Sequence, residues 1–278
     1  MKWPVALLLF AVSLAPAFAL DPALPPSGNF DLTRWYLGLP VDESGQVGLA
    51  LPAAKINTAD LCNNGYYTHA PYLPTYAPYF FTGTDGSMVF TVPYNGAAGG
   101  DTHSPRCELR ETHPDGKVFN WTPLSHGGTH ILDATCVIHV VGKGKVGIGQ
   151  IHAKVPDLPT ILLRYDNTRA TPGIYVSVKK LPTDPEAQDV LTFEGVPLGS
   201  PIAFQLKMVA TDKSLIFSCT VNGITQHIDM YANSPDWLGI SHYFKAGNYY
   251  TIPEKGVTSR VSFLKLVASH PADSSVAK

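Results

Sequence analysis

"SLIFSCTVNGITQHIDM", residues 214–230, reads as two short runs of β-forming residues joined by Asn222-Gly223. Asn-Gly between two such runs is the strongest short-range hairpin signal, because both central positions of a type I′ turn need positive φ. Runs of the same kind recur outward along the chain: "SMVFTV" (87–92), "ILDATCVIHVV" (131–141), "KVGIGQIHA" (145–153), "TILLRYD" (160–166), "GIYVSVKK" (173–180), "IAFQLKMVA" (202–210) and "RVSFLKLVA" (260–268). Gly, Pro, Asn and Asp separate them, and helical periodicity is nearly absent. Many antiparallel strands without intervening helices predict an all-β protein, a jelly-roll sandwich of two antiparallel sheets.

The chain has 278 residues, 45% of them hydrophobic and 15% charged, so a sizeable core is affordable. A formal net charge of −2 gives no global basic field for nucleic acid, and an anionic ligand must be held by a few local cations. "MKWPVALLLFAVSLAPAFA" combines Lys2, an apolar run and Ala17-Phe18-Ala19, the pattern of a secretory signal peptide over residues 1–19. No later stretch reaches transmembrane length, so a soluble, secreted, extracellular monomer without membrane partners is expected. No linker or repeat interrupts residues 20–268, which read as one domain. Within it, the loop-rich stretch from about Leu49 to Tyr79 reads as a partly helical excursion over one edge, and residues 269–278 read as a flexible tail. Cys62, Cys107, Cys136 and Cys219 suggest up to two disulfides in an oxidising compartment. Asn120-Trp121-Thr122 is a glycosylation sequon.

Three stretches carry polar chemistry. In "RCELRE" (106–111) an extended backbone puts Arg106, Glu108 and Arg110 on one face and Cys107, Leu109 and Glu111 on the other. This is either an exposed strand stitched by weak ion pairs or an anion site, in which Glu108 holds two guanidiniums in place. In "GQIHAK" (149–154) Gln150 and His152 share a face, with Gly147 and Gly149 on the other. No second histidine sits at metal-ligand spacing, so neither metal nor other cofactor is called for. In "YFKAGNYY" (243–250) Tyr243, Lys245, Gly247 and Tyr249 share one face, while Phe244, Ala246, Asn248 and Tyr250 share the core face. Arg, Gln, His and Tyr on three strands suit proton abstraction alpha to a carboxylate, where cations and amides neutralise the developing anion. The pair of opposed carboxylates of a glycoside hydrolase and the G-x-S-x-G elbow of a serine hydrolase are both missing.

"RCELR", "QIH" and "YFKAGNY", in that order, resemble the signature segments of polysaccharide lyase family 7, the alginate lyases. "NFDLTRWYLGLPVD" (29–42) resembles the segment that opens their catalytic domain, and the likeness spans roughly residues 27–268. The resemblance implies a concave sheet that binds an anionic polysaccharide, alginate, and cleaves it by β-elimination without a required metal. By position it implies that Arg106 and Gln150 neutralise the uronate carboxylate, with Arg110 nearby. His152 helps to neutralise it or acts as base toward C5 of guluronate. Tyr249 is the acid, and both base and acid toward mannuronate, because there the C5 proton and O4 lie on the same side of the ring. Lys245 contacts a neighbouring carboxylate or hydroxyl, and Tyr243 either stacks on a sugar or packs. The isoleucine of Q-I-H leans toward guluronate-containing chains. Cys107 and Tyr250 depart from the family's usual residues, but both lie on the face away from the proposed site. Two rivals remain: a lyase on another polyuronate such as glucuronan, and a non-catalytic carbohydrate-binding jelly roll. The latter has no use for a placed His152 and Tyr249.

Overall fold

The computed structural model describes residues 19–63, 78–98 and 104–271. One sheet has the spatial order β10 (Gln188–Glu194), β9 (Gly173–Val178), β8 (Pro159–Asp166), β7 (Lys145–Ala153), β14 (His242–Ile252), β5 (Arg106–Glu111), β1 (Trp35–Gly38) and β2 (Lys55–Ile56). The second runs β13 (Ile224–Asp229), β12 (Ser214–Val221), β11 (Pro201–Thr211), β6 (Thr129–Val140), β15 (Thr258–Ser269), β4 (Met88–Pro93) and β3 (Phe80–Thr82). Neighbouring strands pair antiparallel throughout, giving the expected jelly-roll sandwich. The hairpin of β12 and β13 forms where Asn222-Gly223 demands it, with φ of 48° and 85° at the two turn residues.

The inner faces of the sheets meet in one core. Leu215, Phe217, Cys219 and Val221 of β12 point into it, alternating with half-exposed partners. Phe244, Ala246 and Tyr250 of β14 do the same from the other sheet, as the alternation predicts. The two sheets differ on their outer faces. Strands β5, β7, β9 and β14 are buried on both faces along most of their length, whereas β11 and β12 alternate buried with open. "RCELRE" is therefore not a solvent-exposed strand, and its polar residues lie in a half-enclosed layer.

The stretch around residues 49–79 supplies β2 at one sheet edge and a short helix, Thr58–Cys62, before the described residues break off. The expected disulfides are absent: all four cysteines are free thiols. Cys136 on β6 and Cys219 on β12 are separated by β11 and offset along it. Two strand spacings are about 10 Å, beyond the reach of a disulfide. Cys107 lies on the other sheet and donates to the Tyr79 carbonyl at 3.4 Å. Residues 269 and 270, expected in a flexible tail, belong to the fold. Ser269 ends β15, and the His270 side chain is buried, with Nε2 2.6 Å from Glu111 Oε1. Fully buried Glu111 also accepts from Trp121 Nε1 and from the Phe244 backbone, each at 3.2 Å.

An aromatic layer closes this end of the core: Trp121 stacks on His130 with centroids 4.0 Å apart and lies 5.3 Å from His242. Burial pushes His130 down to about 4 and His242 down to about 3 from the ordinary 6.5. Both rings stay neutral in the fold, while the unfolded chain takes up their protons below pH 6.5. Stability therefore rises with pH through the window from about 4 to 6.5 and is lost as pH falls through it. We expect the unfolding free energy to drop by roughly 2 kcal/mol per histidine between pH 6.5 and 5. Denaturant titrations at the two pH values should show a smaller drop in His242→Phe; an unchanged drop would contradict this account.

Candidate active site

Strand β14 lies between β5 and β7, and its register determines which side chains meet. Tyr249 stands opposite Arg106, Gly247 opposite Glu108, and Lys245 opposite both Arg110 and Gln150. Tyr243 faces His152. Alternation brings all eight expected side chains, Arg106, Glu108, Arg110, Gln150, His152, Tyr243, Lys245 and Tyr249, to the outer face of the same three strands. β1 adds Tyr36, opposite Arg110. The sequence reading missed it because a four-residue strand is too short to show a face. It also missed Asp157, in the loop between β7 and β8, which no periodicity reaches.

Glu108 does not brace the two arginines as expected. It reaches across β14 instead, where Oε1 accepts from Gln150 Nε2 and Oε2 lies 2.8 Å from Lys245 Nζ. Gly247 stands directly opposite Glu108 on β14 and packs against the β5 backbone. Gly247 has φ of 148°, and a Cβ on it would meet the Cys107 carbonyl oxygen at 2.6 Å, so the position accepts only glycine. The arginines are held by other groups. The Arg110 guanidinium lies 3.8 Å from the centroid of the Tyr243 ring, donating to the Glu111 carbonyl at 2.6 Å and to Asn120 Oδ1 at 3.0 Å. The sequon asparagine thus serves the site. Arg106 lies 4.3 Å from the centroid of the Tyr249 ring, a cation–π arrangement.

Gly147 and Gly149 do not share a face. The register of β7 shifts between them, and a Cβ on Gly149 would meet Phe204 in the core. One on Gly147 would meet Leu162 at 2.8 Å and Tyr249 at 3.4 Å on the outer face. The irregularity keeps space open beside the Tyr249 ring.

Three cations, Arg106, Arg110 and Lys245, face one buried carboxylate, Glu108, so the layer favours an added anion. Burial pulls the Lys245 ammonium down, and Glu108 opposes the pull. His152 is held well below 6.5, first by burial and then by Lys245, Arg106 and Arg110. Its Nδ1 lies 2.9 Å from the Ala153 carbonyl oxygen, which can only accept, so Nδ1 carries the proton and Nε2 the lone pair. The Tyr243 ring stacks on the imidazole with centroids 5.0 Å apart. Burial and the charge of Asp157 raise Tyr243 and keep it a phenol, which donates to Asp157 Oδ1 at 3.1 Å. Tyr243 is thus packed between Arg110 and His152.

A hollow of about 380 Å³ opens over this layer, lined by Tyr36, Pro52, Arg106, Glu108, Arg110 and Lys245. A separate hollow of about 260 Å³ lies on the far side of β7 over Leu162, Arg164, Ser177 and Lys179. A larger hollow of about 520 Å³ lies away from this chemistry, beside Lys180, Asp184 and Asn233. Among the described residues no cluster of His, Cys, Asp or Glu is arranged to hold a metal ion.

The family model described as alginate lyase matches residues 30–270. An alginate lyase of Klebsiella pneumoniae is 26% identical over 325 residues, covering 96% of either chain. Among solved structures, alginate lyase A1-II′ of polysaccharide lyase family 7 is 26% identical, with 90% of this chain and 100% of that one covered and a TM-score of 0.72. An alginate lyase of Pseudomonas aeruginosa is 27% identical, with 87% and 100% covered and a TM-score of 0.69. With its two-sheet jelly roll and a cation-lined layer that meets the family's segments in order, the chain belongs to the alginate lyases of polysaccharide lyase family 7.

Proposed function

We propose that Arg106 and Gln150 hold the carboxylate of the uronate at the cleaved bond, while His152 and Tyr249 move the protons of the β-elimination. Membership of the family makes the chain a polysaccharide lyase acting on alginate; the roles within the groove are the proposal. The observation that carries it is a neutral His152, its Nε2 lone pair free, on the same face as three cations and Tyr249. Binding the carboxylate to Arg106 and Gln150 stabilises the enolate-like anion that forms when C5 loses its proton. In guluronate the C5 proton and O4 lie on opposite sides of the ring, so His152 Nε2 takes the proton and the Tyr249 hydroxyl protonates the leaving oxygen. In mannuronate they lie on the same side and Tyr249 serves both. The C5–H electrons become the C4–C5 double bond, and the chain is cut with an unsaturated uronate at its new end. Lys245 and Arg110 balance the negative charge of the bound chain.

The signal-peptide pattern at residues 1–19 supports export, and we propose that the enzyme works outside the cell as a monomer; residues 1–18 lie outside those described.

Ultraviolet absorbance of the conjugated uronate tests the assignment on polymannuronate, polyguluronate and glucuronan. Tyr249→Phe should lower turnover of both alginate blocks by about 10²–10⁴-fold. A rise on glucuronan alone would move the substrate, and binding without any rise would sink the catalytic reading. Because His152 is held well below 6.5, turnover of polyguluronate should stay level from about pH 8 to below 6.5 and fall only at lower pH. A titration centred above 6.5 would mean that His152 is not the base.

A further inference from the structure

The charged groups that face His152 are of one sign, with two exceptions. Arg106 and Arg110 from β5 and Lys245 from β14 all disfavour an imidazolium. Glu108 is engaged by Gln150 and Lys245, and Tyr243 and Tyr36 are raised phenols that carry no charge. Pro159 of β8, opposite His152, has no charge to offer. A base in this setting meets three cations at the moment it accepts a proton. The other exception is Asp157, whose Oδ1 lies 3.7 Å from His152 Nδ1 while accepting from the Tyr243 hydroxyl.

We propose that Asp157 is the counter-ion of the imidazolium formed when His152 takes the C5 proton, and that Tyr243 fixes its carboxylate in that place. The inference rests on the reading of His152 as the base toward guluronate. In the resting enzyme Nδ1–H serves the Ala153 carbonyl and the Asp157 side chain is 71% exposed, so its charge is kept in water at little cost. Proton transfer breaks C5–H and forms N–H at Nε2. The electron pair passes into the C4–C5 bond, O4 leaves with the Tyr249 proton, and Asp157 gains no proton at any stage. Its attraction exists only for the charged ring, so it acts on the transition state and not on the resting complex. Asp157 is a positioning residue, acting through His152 and not on the sugar. The phenol ring stacked on the imidazole fixes the distance: Tyr243 is bound to β14 by its backbone, to His152 by its ring face and to Asp157 by its hydroxyl.

The test compares Asp157→Asn, Asp157→Glu and Tyr243→Phe with the parent enzyme on polyguluronate and polymannuronate, with His152→Ala as control. Asp157→Asn should lower kcat on polyguluronate by about threefold to tenfold at constant KM. The ratio of polyguluronate to polymannuronate turnover should fall by the same factor, because Tyr249 serves as base on the second polymer. The acid limb on polyguluronate should move to lower pH, since loss of a carboxylate disfavours the protonated ring. Asp157→Glu should recover much of the loss, and Tyr243→Phe should reproduce part of it. Equal losses on both polymers, or an acid limb that stays in place, would overturn the proposal while leaving His152 as the base. If His152→Ala retains polyguluronate turnover, the base assignment itself fails, which is a separate result.

Discussion

A carboxylate shut inside a protein is tolerated only where its partners are fixed, and Glu108 is such a group. It is 3% exposed and held between Gln150 from β7 and Lys245 from β14. Desolvating an ion costs several kcal/mol even after relaxation, so the arrangement holds together or fails as a unit. Three strands are thereby committed to one register: a slip of β14 by one residue would turn Lys245 inward and leave Glu108 without its cation. Gly247 stands opposite Glu108 on β14, and the Gln150 amide is fixed by its bond to that carboxylate. The carboxylate also offsets the mutual repulsion of the three cations on this face.

Beneath the same strands lies a second set of polar groups, on the core side. Glu111 receives Trp121, the Phe244 backbone and His270, and Asn248 donates to the Phe90 carbonyl while accepting from Ser259. These bonds lie among apolar side chains, where an unmade bond is expensive and a made one is directional. β5 and β14 are thus fixed from both faces. The groove can hold its side chains to a narrow geometry because the sheet beneath it cannot slide.

Much of this is legible in the sequence, for a physical reason. Period-two alternation holds along β5, β12 and the β5-facing side of β14, and in β7 beyond the irregularity at Gly147–Gly149, and with it the assignment of Arg106, Glu108, Gln150, His152, Lys245 and Tyr249 to one face. β1, β2 and β3 are two to four residues long, too short to show a pattern, and β10 has its β-forming residues only over 190–193, between polar ends. Alternation gives the face of a residue but not its neighbour, which depends on pairing between strands far apart in the chain. Hence Glu108 was legible and its partners were not. The free cysteines have the same origin, since pairing requires knowing that β11 stands between β6 and β12. Asp157 sits in a loop and acquires meaning only from the two rings beside it. His270 reads as part of a polar tail, and only the position of β15 beside β6 explains why it is buried.

The strand order also says something about how the molecule comes into being. β14 is inserted between β5 and β7, and β15 between β4 and β6, so the last two strands join partners that lie far back in the chain. A chain emerging residue by residue has neither sheet closed until its final segments appear, and His270 reaches Glu111 later still. Folding of this topology is therefore a late, concerted event with slow non-local pairing. Until then β5 and β7 present open edges able to pair with the wrong neighbour. A chain that stops short of β14 lacks the strand that joins the two halves of the groove, so the site forms only when the fold is nearly complete.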